Sequence, residues 1–193
     1  MPPIDGGKPG PGDSEIVRRL RAGEAAAFHE LVDRLGPALF GLAISLVGNA
    51  ADAEDIVQEA FSGAFRGLHT FRGDSSVKTW LTRILVRQAA GHFRGRKRSI
   101  RLVEARASMP SQAGDSAGSA ADIRMDVRAA VARLSPEHRE VVVLREFEGL
   151  SYEEIAQVLD VPRGTVESRL FRARRQMQEL LGDYLPGTER RSP

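Results

Sequence analysis

Between Arg163 and Arg175 the chain carries five arginines and a single acid, Glu167. On a helix, at 100° per residue, the apolar residues Val166, Leu170, Ala173 and Met177 share one stripe. The face away from that stripe holds Gly164, Ser168, Phe171, Arg172 and Arg175. Arg172 is long enough for a bidentate pair with guanine O6 and N7, a contact worth ~1–3 kcal/mol of base discrimination. Ser168 can bond a base edge or a phosphate. Phe171 on a polar face calls for something to pack against, such as a thymine methyl or a sugar. Arg169, Arg174 and Arg175 suit phosphates, which position a protein without specifying sequence. The chemistry is that of duplex DNA binding; a merely solvated basic face is the plainer alternative.

A second basic cluster, Arg94, Arg96, Lys97, Arg98 and Arg101, lies between 91 and 101 with no acid among it. Arg83, Arg87 and Arg94 align on one helix face at i, i+4 and i+11, which suits a track for a polyanion. Nearby aromatics could stack on unpaired bases. Trp80, beside Leu81 and Ile84, reads as core. Phe71, between His69 and Arg72 in a polar loop, is the stacking candidate. Opposite in sign, the stretch 45–64 holds Asp52, Glu54, Asp55 and Glu59 and no Lys or Arg. Compensation of a helix dipole accounts for Asp52 and Asp55. Carboxylate catalysis lacks an evident partner: no histidine stands nearby in the sequence and there is no glycine-rich phosphate loop. A docking face for a basic protein surface is the remaining reading.

The elements that position these groups read as all-α, since no run sustains a period of two. Residues 1–13, with four Pro and four Gly, are expected to be a disordered tail. Ser14 can cap a short helix bearing Ile16, Val17 and Leu20. A second carries Phe28, Leu31, Val32 and Leu35. Gly36 is expected to stop it and Pro37 to start a third, which ends at Gly48. A fourth runs from about 51 to 68, and a long one from about 77 to 94 follows the loop HTFRGDSS. The stretch 105–121 is Ala, Ser, Gly or Pro at thirteen of its seventeen positions, the composition of a flexible linker.

Beyond the linker, Ser135-Pro136 opens a helix running to Gly149, and Ser151 and Glu154 form a capping box with Leu150 and Ile155 as its staple. A short helix, a turn at 160–164 and the long basic helix make a helix-turn-helix. The resulting layout is a tail at 1–13, a helical domain at 14–100, a linker at 101–121, a second domain at 122–185 and a frayed tail at 186–193.

Composition narrows the class further. At 193 residues, one or two small domains fit. With no Cys and only four His, thiolate chemistry is excluded and no metal or other cofactor is expected. No apolar run approaches the ~18 residues of a membrane span, and the N-terminus does not read as a secretory signal. A cytoplasmic, non-enzymatic protein is expected.

The strings DAEDIVQEAF (52–61), FRGDSSVKTWLTRI (71–84), HFRGRKR (92–98) and LSPEHREVVVLREFEGLSYEEIAQVLDVPRGTVESRLFRARRQM (134–177) resemble the extracytoplasmic-function sigma factors of bacterial RNA polymerase. The resemblance spans about residues 24–183, with region 2 before the linker and region 4 after it. It implies that Asp52, Asp55, Gln58 and Glu59 dock on the clamp helices of the largest polymerase subunit. It implies that Phe71, Arg72, Lys78, Arg83, Arg87, Arg94, Arg96 and Arg98 engage and help melt the −10 element, with one base flipped into a pocket. It implies that Arg163, Thr165, Glu167, Ser168, Arg169, Phe171, Arg172 and Arg175 serve the −35 element, and that region 4 meets the polymerase flap. By the same analogy an anti-sigma factor is an expected partner. Val77, Arg87, Gly91 and Glu167 depart from residues common in the family, so base preference is not transferable; Glu167 can accept from cytosine N4 or pair with Arg163. The rival from another class is a stand-alone helix-turn-helix regulator, which would bind an operator without polymerase.

Overall fold

The computed structural model describes residue 10 and residues 12–103 and 120–181, with side chains described outside 93–126. All its regular elements are helical: α1 Asp13–Arg21, α2 Ala25–Val47, α3 Ala50–Gly67, a 3-10 turn Leu68–Thr70, α4 Val77–Val103, α5 Ala120–Arg133, α6 Pro136–Val142, a π-helical turn Val143–Phe147, α7 Tyr152–Leu159 and α8 Arg163–Leu180. No described helix is long and apolar enough to cross a membrane.

The first unit is built on α2, α3 and α4. Apolar residues recurring every three or four positions give each helix a buried stripe: Leu39, Leu42, Ala43 and Leu46 on α2, Ile56, Ala60, Phe61 and Ala64 on α3, Val77, Leu81 and Leu85 on α4. Asn49 caps α3, its Oδ1 accepting from the Asp52 N–H at 2.9 Å. Helix α1 lays Ile16, Val17 and Leu20 onto this bundle.

Two boundaries differ from the sequence reading. The pair Gly36-Pro37 does not separate two helices; α2 runs through it with Pro37 in its interior. An interior proline loses one hydrogen bond and costs ~3 kcal/mol. The preceding residue is glycine, whose missing Cβ relieves the clash with the proline ring, and the apolar stripe continues from Leu31 to Leu46 across the site. The first helix starts two residues early, at Asp13 rather than after a Ser14 cap, with Gly12 in the left-handed conformation at φ 96°. Asp13 is therefore not tail but a buried carboxylate, 8% exposed. The remaining tail residues 1–9 and 11, linker residues 104–119 and residues 182–193 lie outside the described residues. Helix α4 extends to Val103 and α5 begins at Ala120, so both reach into the range read as linker.

In the second unit, Ser135 caps α6 by accepting from the His138 N–H. The helix read as continuous to Gly149 changes character at Val143, where the Glu148 N–H donates back to the Val143 carbonyl five residues earlier. The capping box forms as read: Glu154 Oε2 accepts from the Ser151 N–H at 2.8 Å, and Ser151 Oγ accepts from the Glu154 N–H at 3.2 Å. Asp160 then takes the left-handed conformation at φ 56°, ending α7. Val166, Leu170 and Ala173 of α8 are buried against α6 and α7.

The two units touch. Arg139 of α6 donates to the Leu46 carbonyl of α2 at 2.6 Å, and to the carbonyls of Val131 and Leu134 at 3.1 and 3.2 Å. Burial pulls its guanidinium below the ordinary arginine value, with Glu140 opposing. Lys78 Nζ of α4 lies 3.1 Å from Glu148 Oε2, and the two side chains are 22% and 6% exposed.

Candidate nucleic-acid and protein interfaces

Burying Val166, Leu170 and Ala173 turns the other side of α8 outward, and Gly164, Glu167, Ser168, Phe171, Arg172, Arg174 and Arg175 are all exposed. Thr165 and Arg169 are half-buried. Phe171 is 72% exposed, a large apolar ring that the described residues leave largely uncovered. The arginines around it are mostly occupied. Arg163 pairs with Glu153 and donates to Glu167 Oε1 at 2.8 Å. The hydrogen bond to Glu167 is the main cause of the rise in the Arg163 pKa, with Glu153 adding to it. Arg169 meets Glu137 at 3.1 Å, and Arg175 meets Glu179 at 3.3 Å. Arg174 donates to Glu146 at 2.8 Å, and that bond likewise raises its pKa. Ser168 Oγ donates to the Thr165 carbonyl at 3.0 Å. Arg172 is exposed and makes no ion pair or hydrogen bond with the described residues. Of the two roles open to Glu167, the structure holds it in the pair with Arg163.

The acidic face of α3 resolves into two parts. Asp55, Gln58 and Glu59 are exposed on one side of the helix, together with Glu54 and Ser62. Asp52 is drawn away from them. Its Oδ2 accepts from the Asn49 amide at 2.6 Å, and its Oδ1 lies 3.4 Å from His92 Nε2 on α4. Asp52 thus ties the start of α3 to its neighbour, and of the carboxylates expected to dock, Asp55 and Glu59 are left in the open.

The loop and helix after α3 change one expectation outright. Phe71 is 6% exposed, and its ring sits 5.2 Å from that of Trp80, tilted by 55°. The 3-10 turn at Leu68–Thr70 swings Phe71 inward, so its ring is core and is not available to stack on a base. Trp80, read as core, is only partly buried. What the loop shows to solvent is Arg72, Gly73 and Asp74. Along α4, Arg87 is exposed, Arg83 is half-buried with a buried Nε that has no hydrogen-bond partner among the described residues, and Lys78 is engaged by Glu148. Arg94, Arg96 and Arg98 lie on the α4 backbone, and their side chains are outside the described residues.

The sequence reading missed two further features. Phe65 of α3 is 57% exposed, with its ring edge-on to Phe28 at 5.7 Å; its place on the exposed side of the α3 wheel was the available signal. The ties made by Asp13 and Arg21 had no local signal, because their partners lie more than forty residues away.

Comparison with known proteins identifies the family. Residues 31–99 match the family "Sigma-70 region 2", and residues 124–177 match "Sigma-70, region 4". The chain is 38% identical over 184 residues to the RNA polymerase sigma-H factor of Pseudomonas aeruginosa, covering 90% of this chain and 95% of that protein. It is 37% identical over 173 residues to the ECF RNA polymerase sigma-E factor of Escherichia coli, covering 84% and 90%. Among solved structures it resembles the sigma factor RpoE of Bartonella quintana, determined in complex with the anti-sigma factor NepR. That match has a TM-score of 0.67 and 31% identity, over 80% of this chain and 96% of that one. It also resembles CnrH, determined in complex with the cytosolic domain of CnrY, at a TM-score of 0.66 and 28% identity over 90% and 99%. A stand-alone regulator would need only the second of the two matched regions. With both regions in order and the relatives matched nearly end to end, the chain belongs to the sigma-70 family, among its extracytoplasmic-function members.

Proposed function

We propose that the chain binds core RNA polymerase, directs it to promoters with −10 and −35 elements, and helps melt the DNA at the start site. It acts as an initiation factor and leaves catalysis to the polymerase. The observation that carries this reading is α8, which buries its apolar stripe and offers Phe171 and an unpaired Arg172 outward from a rigid helix-turn-helix. Arg172 is the base-reading residue. Arg163, Thr165, Ser168, Arg169 and Arg175 position the helix on phosphates, each arginine exchanging a carboxylate for a phosphate oxygen. Glu167 orients Arg163.

Asp55, Glu59 and Gln58 on α3 meet the basic clamp surface of the polymerase, with Asp52 holding the helix start. Arg72, Arg87, Arg94, Arg96 and Arg98, with Arg83 and Lys78 once their neighbours move, line the −10 side. Each stacked DNA step lost in melting is ~1.4 kcal/mol, so contacts must extend along the whole of α4. The chain works where the polymerase works, in the cytoplasm. An anti-sigma protein as partner is supported by the complexes in which its structural neighbours were determined. Run-off transcription with purified core polymerase on a promoter library tests the reading. Start sites that depend on both elements support it; no association with core and no selected start sites refute it.

A further inference from the structure

Helix α1 lies before the stretch that matches region 2, which begins at residue 31. Two of its residues reach the loop that leads into α4, one at each end of that loop. Arg21, in the last turn of α1, donates from Nη2 to the Phe71 carbonyl at 2.7 Å. Asp13, its first residue, accepts from the Val77 N–H at 2.9 Å through Oδ2. The same Oδ2 accepts from the Gly10 N–H at 3.0 Å, and Oδ1 faces Arg34 at 3.4 Å. Asp13 and Arg21 stand eight positions apart on the helix, a rise of about 12 Å. The helix therefore acts as a rigid strut, fixing where the loop leaves the core and where it re-enters.

The chemistry at each end suits that task. Val77 is the first residue of α4, and its N–H is one of the donors that a helix start leaves without an internal partner. Ser76 Oγ takes the Thr79 N–H at 3.0 Å, and Asp13 supplies the acceptor and the negative charge for Val77. A carboxylate only 8% exposed, 64 residues away in sequence, is an unusual cap. It costs desolvation, which its three partners offset. At the other end, a guanidinium on a backbone carbonyl holds Phe71 with its ring against Trp80. Between the two ties only Arg72, Gly73, Asp74, Ser75 and Ser76 remain, with Gly73 at φ 81°, where a side chain would be strained. Arg72, Gly73 and Asp74 are held out to solvent in one shape.

We infer that α1 is a clasp that sets the geometry of the 71–76 loop, with Asp13 and Arg21 as positioning residues for base recognition at the −10 element. This rests on the proposed promoter role of that loop. Neither residue touches DNA. Both act by sparing the loop the ordering cost that would otherwise fall on binding.

The test uses the full chain with core polymerase and compares the wild type with D13A, D13N, R21M and R21K. Two ratios are read: run-off from an intact promoter over one with a substituted −10 base, and the same for a substituted −35 base. Hydrogen exchange at the 71–77 amides and a thermal melt are recorded on the free chain. D13A and R21M should lower the −10 ratio about tenfold, as expected for loss of a charge-assisted hydrogen bond. The −35 ratio should hold within about twofold, since distant sites are close to independent. D13N keeps an acceptor and R21K a cationic donor, so both should recover most of the −10 ratio. Faster exchange confined to the loop should accompany the loss.

Cooperatively melting D13A and R21M proteins that keep the wild-type −10 ratio overturn the inference. So does an equal fall in both ratios. If D13A does not fold, R21M decides on the same readings. If the wild type shows no −10 preference, the promoter role of the loop fails by itself; unchanged loop exchange in R21M then overturns the clasp.

Discussion

Replacing Glu148 with alanine should expose how tightly the two helical units are joined. Lys78 Nζ and Glu148 Oε2 are 3.1 Å apart, the carboxylate side chain 6% exposed and the lysine 22%. Removing one partner of a buried pair leaves the other charge uncompensated, at a cost of ~3–5 kcal/mol. Water still reaches part of Lys78, so the low end applies, about 3 kcal/mol. The pair also spans two units, which sets a ceiling. Once they part, the ammonium is hydrated, so the loss cannot exceed the free energy that holds them together. A double-mutant cycle with E148A, K78M and the double variant, followed by urea unfolding of the full chain, isolates the pair. The double variant should be more stable than E148A alone, with a coupling of at least ~1 kcal/mol. The cycle closing additively to within ~0.5 kcal/mol would refute a coupled pair. A fluorescence distance measured between α3 and α8 should lengthen in E148A and return in the double variant.

The other expectations concern DNA, polymerase and fold. R172A should lose ~1–3 kcal/mol of discrimination at one −35 position, read by competition among promoter variants. R174A should weaken all sequences alike, and identical profiles for the two variants would contradict the division of roles. Reversing charge at Asp55 and Glu59 together should weaken association with core polymerase in a pull-down titration without shifting the melt, because both side chains are exposed. S151A should destabilise the second unit by about 1 kcal/mol, the usual worth of an N-cap, seen in the same urea titration. D52K should fall between docking and folding, lowering the melt as well, since Asp52 is held by Asn49 and His92.

What the sequence makes legible is whatever is decided within a turn or two of helix. The Ser151–Glu154 box, the Val166–Leu170–Ala173 stripe and the exposed Phe171 and Arg172 follow from spacing alone, and each stands where spacing puts it. Gly36-Pro37 misleads because the punctuation is local while the packing of α2 against α3 and α4 is not. Phe71 misleads for a related reason: its polar neighbours describe the loop, but a single 3-10 turn decides which way the ring faces. The occupation of the basic residues is hidden more deeply. Lys78 finds Glu148 across the two units, and Arg174 finds Glu146 from 28 residues away, with α7 between them in the chain. Charge counts name such residues without naming their partners.

The carboxylates along α8 bear on how the helix meets a duplex. Four of its five arginines, Arg163, Arg169, Arg174 and Arg175, already hold an acid. A phosphate arriving there displaces a glutamate rather than a bare water shell, and the freed glutamate keeps a sodium or potassium ion near. Fewer ions are then set loose per contact than the ~0.9 expected for each neutralised phosphate. Salt should weaken the bound state less steeply than five free arginines would predict, and the grip on arbitrary sequence is correspondingly slack. Non-specific residence on the genome should then be short, and lasting attachment should require the polymerase as well as the right bases.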